Sequence, residues 1–204
     1  GPTYEKIDPV RFIGNYSSGK MGLAIAEELA GRGAEVVLVC GPVNLKTHHP
    51  AIRRVDVESA AQMYEVTSRE FANSDVAVLS AAVADFTPKE KADHKIKRGK
   101  DDLVLELLPT KDIAAELGKM KNASQLLVGF ALETNDEEVN ALSKMQRKNL
   151  DMIVLNSLND KGAGFGVDTN KVTIMDKAGN RTVYELKTKL EVAKDIVDQI
   201  ASRL

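Results

Sequence analysis

Four apolar runs stand out from an otherwise charged chain: Glu35 to Cys40 (EVVLVC), Val76 to Ala82 (VAVLSAA), Leu126 to Ala131 (LLVGFA) and Met152 to Asn156 (MIVLN). They are continuous rather than alternating, which marks strands buried on both faces. Between them lie segments of helical period at Gly22 to Gly31, Ser59 to Ala72, Asp112 to Met120 and Glu137 to Asn149. The alternation predicts an α/β, Rossmann-like, doubly wound fold with a mostly parallel sheet and right-handed crossovers. The tail changes character. Val172 to Asp176, a turn over Lys177 to Asn180 and Arg181 to Leu186 predict a β-hairpin, because Gly-Asn is a turn pair between β-formers. An amphipathic helix follows from about Lys189 to Leu204. Residues 1–204 read as a single domain. An open sheet of this kind has its first strand directly before the first glycine turn, so a strand is expected ahead of Gly1.

Composition narrows the function classes. With 28 basic and 30 acidic residues the net charge is -2, so no global positive field recruits nucleic acid and any anion site has to be local. The single cysteine, Cys40, lies inside an apolar run and reads as a core residue of a cytoplasmic protein. No run is long enough to span a bilayer. His48 and His49 have no partner at metal-ligand spacing, so no zinc is expected. The segment Thr87 to Lys100 (TPKEKADHKIKRGK) is charged, contains Pro and Gly and lacks apolar periodicity, which predicts a mobile surface loop.

The candidate chemistry begins at residues 14–22, GNYSSGKMG, which nearly spell a Walker A loop. Met21 stands where that loop needs a hydroxyl for Mg²⁺, and a thioether is a poor ligand for a hard cation. The loop still leads into a helix whose free N–H groups and dipole favour an anion. The bland alternative is a helix start capped by Ser17 or Ser18 with nothing bound. Ligands of open α/β sheets bind beyond the carboxyl ends of the strands. Polar and small residues gather there: Gly41-Pro42, Ala82 to Asp85, Phe130 to Thr134, and Asn156. Asp85 and Thr134 also suit simple caps. Lys95, Lys97 and Arg98 are placed to fold over a polyphosphate, or to solvate a loop. Lys144 and Lys148, at i and i+4, share one helix face near its C-terminus.

Taken in order, GPTYEKIDPVRFIGNYSSGKMG, GAEVVLVCGPV, AAVADF, KIK, KDI, GFALET, KNLD and GFGVDTN resemble the phosphopantothenoylcysteine synthetase family, CTP-dependent bacterial enzymes of coenzyme A biosynthesis, over almost the whole chain. The resemblance implies that CTP activates the carboxylate of 4'-phosphopantothenate as an acyl-cytidylate, which the amine of cysteine then attacks. It makes Asn15 the residue that stabilises the acyl-cytidylate and Lys95 a second catalytic residue on a lid. It lines the CTP site with Ser80, Ala81, Asp85, Lys111, Asp112, Ile113, Ala114, Phe130, Lys144 and Lys148. Ser17, Ser18, Gly19 and Lys20 become a phosphate-holding turn. It further implies Mg²⁺, with metal ligands unassigned, and a homodimer in which the tail hairpin serves as a dimerisation element. A fused flavin-dependent decarboxylase domain also belongs to the pattern. The chain departs from that pattern at Tyr4 (often Arg), at Thr110-Lys111 (often Asn-Pro) and at Leu132 (often small). Two other readings share the fold class: a nicotinamide-dependent reductase and a non-catalytic nucleotide-binding module. Against the reductase, no GxGxxG opens the first helix, and Gly41-Pro42 rather than an acidic residue follows the Glu35 to Cys40 strand.

Overall fold

Residues Leu126–Glu133 form an interior strand of the main sheet because the run is apolar on both of its faces, and each face meets a separate layer of helices. The computed structural model describes residues 1–99, 102–133, 135–157 and 166–204. In chain order the elements are β1 (Tyr4–Lys6), β2 (Phe12–Gly14), α1 (Lys20–Gly31), β3 (Val36–Cys40), β4 (Ile52–Asp56), α2 (Ala60–Phe71), β5 (Val76–Leu79), β6 (Phe86–Pro88) and β7 (Leu107–Pro109). There follow α3 (Ile113–Met120), β8 (Leu126–Glu133), α4 (Glu137–Arg147), β9 (Met152–Ser157), β10 (Thr169–Asn170), β11 (Val172–Asp176), β12 (Arg181–Val183), β13 (Lys187–Thr188) and α5 (Lys189–Ala201).

The main sheet has the order β12-β11-β9-β8-β5. Strands β5, β8 and β9 run parallel, with Val128 opposite Val78 on one side and Met152 on the other. The tail hairpin continues the sheet, β11 pairing antiparallel with β9 from Val172↔Asn156 to Asp176↔Met152. Side chains alternate between two cores, as the pleat requires. Val128, Val154 and Ile174 face α1 and α5 through Ile25, Val192 and Ile196. Leu127, Ile153 and Met175 face α2, α3 and α4 through Met63, Leu117 and Met145. Complete burial of each such aliphatic side chain contributes roughly 1.5–3 kcal/mol, so the doubly wound arrangement follows from the two-faced strands.

Two helices start on reciprocal capping boxes, α2 through Ser59 with Gln62 and α5 through Thr188 with Glu191. Cys40 is buried in the core, as expected. The expected strand Val76 to Ala82 ends at Leu79, and Ala82 forms an isolated parallel bridge with Pro2. Sequence reading missed β4, which pairs parallel with β3 apart from the main sheet. It also missed two antiparallel ribbons, β1 with β2 and β6 with β7. The expected loop Thr87 to Lys100 begins inside β6, and its later part is tied to the first ribbon: the Ala92 N–H donates to the Ile7 carbonyl at 2.9 Å. The expectations for Lys100 and Thr134, and for Gly164 and Phe165 of the GFGVDTN motif, lie outside the described residues. Among the described residues no helix is long and apolar enough to cross a membrane.

Candidate active site

At the carboxyl ends of β3, β5 and β8 the chain leaves a cavity of about 1270 Å³. Its polar mouth is lined by Asn15, Ser17, Ser18, Gly19, Lys20, Ser80, Ala81, Asp85, Lys111, Asp112, Ile113, Ala114, Phe130, Lys144 and Lys148. It continues as an apolar trench between β3 and β5, past Val36, Leu38, Val76 and Val78. Of the residues the resemblance places at the site, all lie on the wall except Lys95, which like Lys97 and Arg98 is exposed to solvent and does not line it; of the expected strand-end residues, Gly41, Pro42, Ala84 and Glu133 do not line it either.

One wall is the turn into α1. Gly19 precedes the helix with φ of 77°, a left-handed conformation that glycine adopts without steric cost. No side chain caps the first turn, so neither Ser17 nor Ser18 takes that role. Ser17 Oγ instead accepts the Gly19 N–H at 3.4 Å. The N–H groups of the first turn therefore face the mouth without a side-chain acceptor. Lys20 turns its ammonium to Asp168 at 2.6 Å. Asn15 is fixed through its amide: Nδ2 donates to the carbonyls of Ala82 at 3.0 Å and Val83 at 3.2 Å. That leaves Oδ1 as the acceptor end of the carboxamide.

The opposite wall combines the start of α3 with the end of α4. Asp112 caps α3 by accepting the Ala115 N–H at 3.1 Å and pairs with Lys148 at 2.8 Å. Burial pushes the Asp112 carboxyl up, but the Lys148 and Ala115 hydrogen bonds and the two lysine charges outweigh it and hold it below the usual carboxylate value. Lys144 is half-buried one turn away. Burial, helped by the charge of Lys148, lowers its pKa, against the opposing pull of Glu133, Asp112 and Asp85. Lys111 lies 4.3 Å over the Tyr64 ring, a cation–π contact. Phe130 packs on the core with one side and lines the cavity with the other. At the departure positions, Tyr4 stacks on Phe12 at 3.8 Å, Thr110 Oγ1 donates to the Ala84 carbonyl at 2.7 Å, and Leu132 joins the cavity wall.

Sequence reading missed Lys189, which opens α5 on the same cavity and whose pKa is lowered by burial and by the charge of Lys20. Buried Asn170 also reaches the cavity and donates to Asn156 Oδ1 at 3.2 Å. Asn156 was visible as a polar strand end, whereas Asn170 was marked only by the GFGVDTN motif. The arrangement can seat an extended anion between the uncapped N-terminus of α1 and a pair of lysines, with a carboxamide acceptor beside it. Among the described residues no group of three or more His, Cys, Asp or Glu side chains could hold a metal ion.

Residues 1–204 match the family described as DNA/pantothenate metabolism flavoprotein C-terminal domain. The chain is 62% identical over 200 residues to a cysteine/cysteine sulfinic acid decarboxylase from an unknown prokaryotic organism, covering 98% of this chain and 56% of that protein. It is 48% identical over 202 residues to the coenzyme A biosynthesis bifunctional protein CoaBC of Bacillus subtilis (strain 168), covering 99% and 50%. A crystal structure of the C-terminal domain of a coenzyme A biosynthesis bifunctional protein CoaBC superposes with a TM-score of 0.82 at 46% identity, covering 98% of this chain and 90% of that one. The chain thus spans about half the length of the curated relatives it matches.

Proposed function

The chain belongs to the DNA/pantothenate metabolism flavoprotein C-terminal domain family, and we propose that it is a CTP-dependent phosphopantothenate–cysteine ligase. A carboxylate oxygen of 4'-phosphopantothenate attacks the α-phosphorus of CTP, the bond to the β-phosphate breaks, and pyrophosphate leaves. The cysteine amine then attacks the acyl carbon, the bond to the phosphate oxygen breaks, CMP leaves, and the amine proton passes to solvent. The observation that carries this reading is the position of Asn15, anchored through Nδ2 between the uncapped start of α1 and the end of β5. Its Oδ1 suits an N–H of the bound acyl-cytidylate, which the resemblance makes Asn15 stabilise. Lys144 and Lys148 suit the nucleotide's phosphates, Phe130 the base, and Lys95 a closing movement over the triphosphate. Mg²⁺ bound with the nucleotide would add to the neutralisation of its phosphates.

Pyrophosphate release from CTP on addition of 4'-phosphopantothenate and Mg²⁺ tests the proposal, with amide and CMP formation on addition of cysteine. No release and no CTP binding by calorimetry would refute it, and tight NADPH binding would favour a reductase instead. The decarboxylase named for one relative falls, in this reading, to a fused flavin-dependent domain in the other part of such longer chains. A cytoplasmic setting goes with the same reading. So does a homodimer; the exposed Phe12, Phe86, Leu107 and Leu108 favour the ribbons β1–β2 and β6–β7 over the tail hairpin as its seat. Phe86→Glu should then yield monomers in analytical ultracentrifugation; an unchanged mass would remove that face from the proposal. The apolar trench between β3 and β5, in line with the Pro2–Ala82 bridge, suits one further parallel strand leading into Gly1. Amide exchange in β3 and β5 of a longer chain tests this, and unprotected trench edges would count against it.

A further inference from the structure

We infer that Asp8, at the turn of the β1–β2 ribbon, is a positioning residue that sets the lid segment bearing Lys95; the inference rests on the ligase reading of Lys95. The Asp8 side chain is 0% exposed. Its Oδ1 accepts the N–H groups of Val10 and Arg11, each at 2.8 Å, which close the turn. Its Oδ2 accepts the Ile96 N–H at 3.1 Å and pairs with the Arg11 guanidinium at 2.8 Å. Arg11 in turn donates to the Ile96 carbonyl. Both backbone polar groups of the residue next to Lys95 are therefore held by one ion pair whose carboxylate is buried, 88 positions away for Asp8.

A tight turn alone does not need a fully buried carboxylate, since many polar residues close one. The part of the Asp8 arrangement that the turn does not explain is its bond to Ile96. Burial pushes the Asp8 carboxyl up, but the N–H groups of Val10, Ile96 and Arg11 with the Arg11 charge hold it down at about 2. The same ribbon runs from this grip directly to Gly14 and Asn15. One short element thus carries the carboxamide at its end and fixes the approach of the lysine at its turn, which links the two groups that the ligase reading makes catalytic.

The test compares Asp8→Asn, Lys95→Gln and the double variant, with pyrophosphate release as the rate and amide exchange at Ile96 as a second signal. Expected for Asp8→Asn are a kcat at least tenfold lower, a KM for CTP changed less than threefold, and Ile96 exchange at least tenfold faster. In the Lys95→Gln background the same change should cost less than a further twofold, because a residue acting through Lys95 has nothing left to position. An equal loss in both backgrounds, or an unchanged kcat, overturns the inference. Ile96→Pro deletes the donated N–H while leaving the Asp8 turn intact, and it must reproduce the kcat loss if Asp8→Asn does not fold. A wild-type protein that releases no pyrophosphate fails the ligase reading itself, and the exchange signal then still tells whether Asp8 grips Ile96.

Discussion

An alanine at Gly118 tests whether the close approach of α3 to the end of α4 holds both the fold and one wall of the cavity. A Cβ there would lie 1.9 Å from the Lys148 carbonyl oxygen and 2.9 Å from its carbonyl carbon. An ordinary carbon–oxygen contact is about 3.3 Å or more, so the two elements must part by roughly 1.4 Å. The obstacle is backbone, which cannot swing aside as a side chain can. Alanine would favour the helix itself by about 1 kcal/mol, but overpacking costs about 1–3 kcal/mol. The separation also loosens the Asn149 Nδ2 bond to the Gly118 carbonyl (2.7 Å) and the Lys148–Asp112 pair (2.8 Å), each loss being about 1 kcal/mol. The net expectation is a destabilisation of about 2–4 kcal/mol, which for a chain of this size is a fall of about 4–16 °C in Tm. Thermal melts followed by circular dichroism read it directly, and CTP titration should show weaker binding because Lys148 moves with the backbone. A Gly118→Ala protein melting at or above wild type would refute the packing argument.

Three further outcomes are expected. Asn15→Ala should consume little CTP and make no usable acyl-cytidylate, measured by quenched-flow product analysis; an unchanged rate of amide formation removes it from the chemistry. Lys144 is held below the ordinary lysine pKa of 10.5, so the unfolded chain binds more protons across the window between the two values and stability rises with pH there. Nucleotide binding should restore the charge, taking up protons and weakening as pH rises through that window; Lys144→Gln should flatten both dependences, in melts and in calorimetry across buffers. Lys20→Ala should change stability by less than about 1 kcal/mol, because its partner Asp168 is 84% exposed and such pairs contribute little; a loss above twice that in urea titration would assign Lys20 a structural role.

The strands were legible where both faces are buried. β5, β8 and β9 came from continuous apolar runs, and their two-sided burial between separate helix layers gave the doubly wound arrangement. β4 was not legible, because Arg53 and Arg54 interrupt it and it pairs on one side with β3. The two ribbons are three residues a strand, too short for a periodicity to register, and β6–β7 also carries Pro88 and Pro109. The site was legible as residues at strand ends, since the parallel topology brings those ends together. The tie between the ribbon and the lid was not. It depends on a backbone N–H at Ile96 and a carboxylate at Asp8, and the charge run around Lys95 pointed instead to a free loop.

The altered Walker sequence is explained by what its residues do in the fold. Met21 packs against the core between the sheet and α5, where a hydroxyl would be buried among apolar neighbours. Lys20, the motif's usual phosphate contact, is paired with Asp168. The positive field at the mouth therefore divides into two parts of different character. On one side stand the fixed N–H dipoles of an uncapped helix start, and on the other Lys144 and Lys148, the first with its proton held less firmly than usual. Dipoles do not titrate, so an anion seated between them keeps that part of its binding while the contribution of Lys144 fades as Lys144 deprotonates. A P-loop with its lysine and hydroxyl intact concentrates the charge on one phosphate. This site spreads it across the cavity, which suits a ligand that offers phosphate to both walls and an N–H donor to the Asn15 carboxamide oxygen.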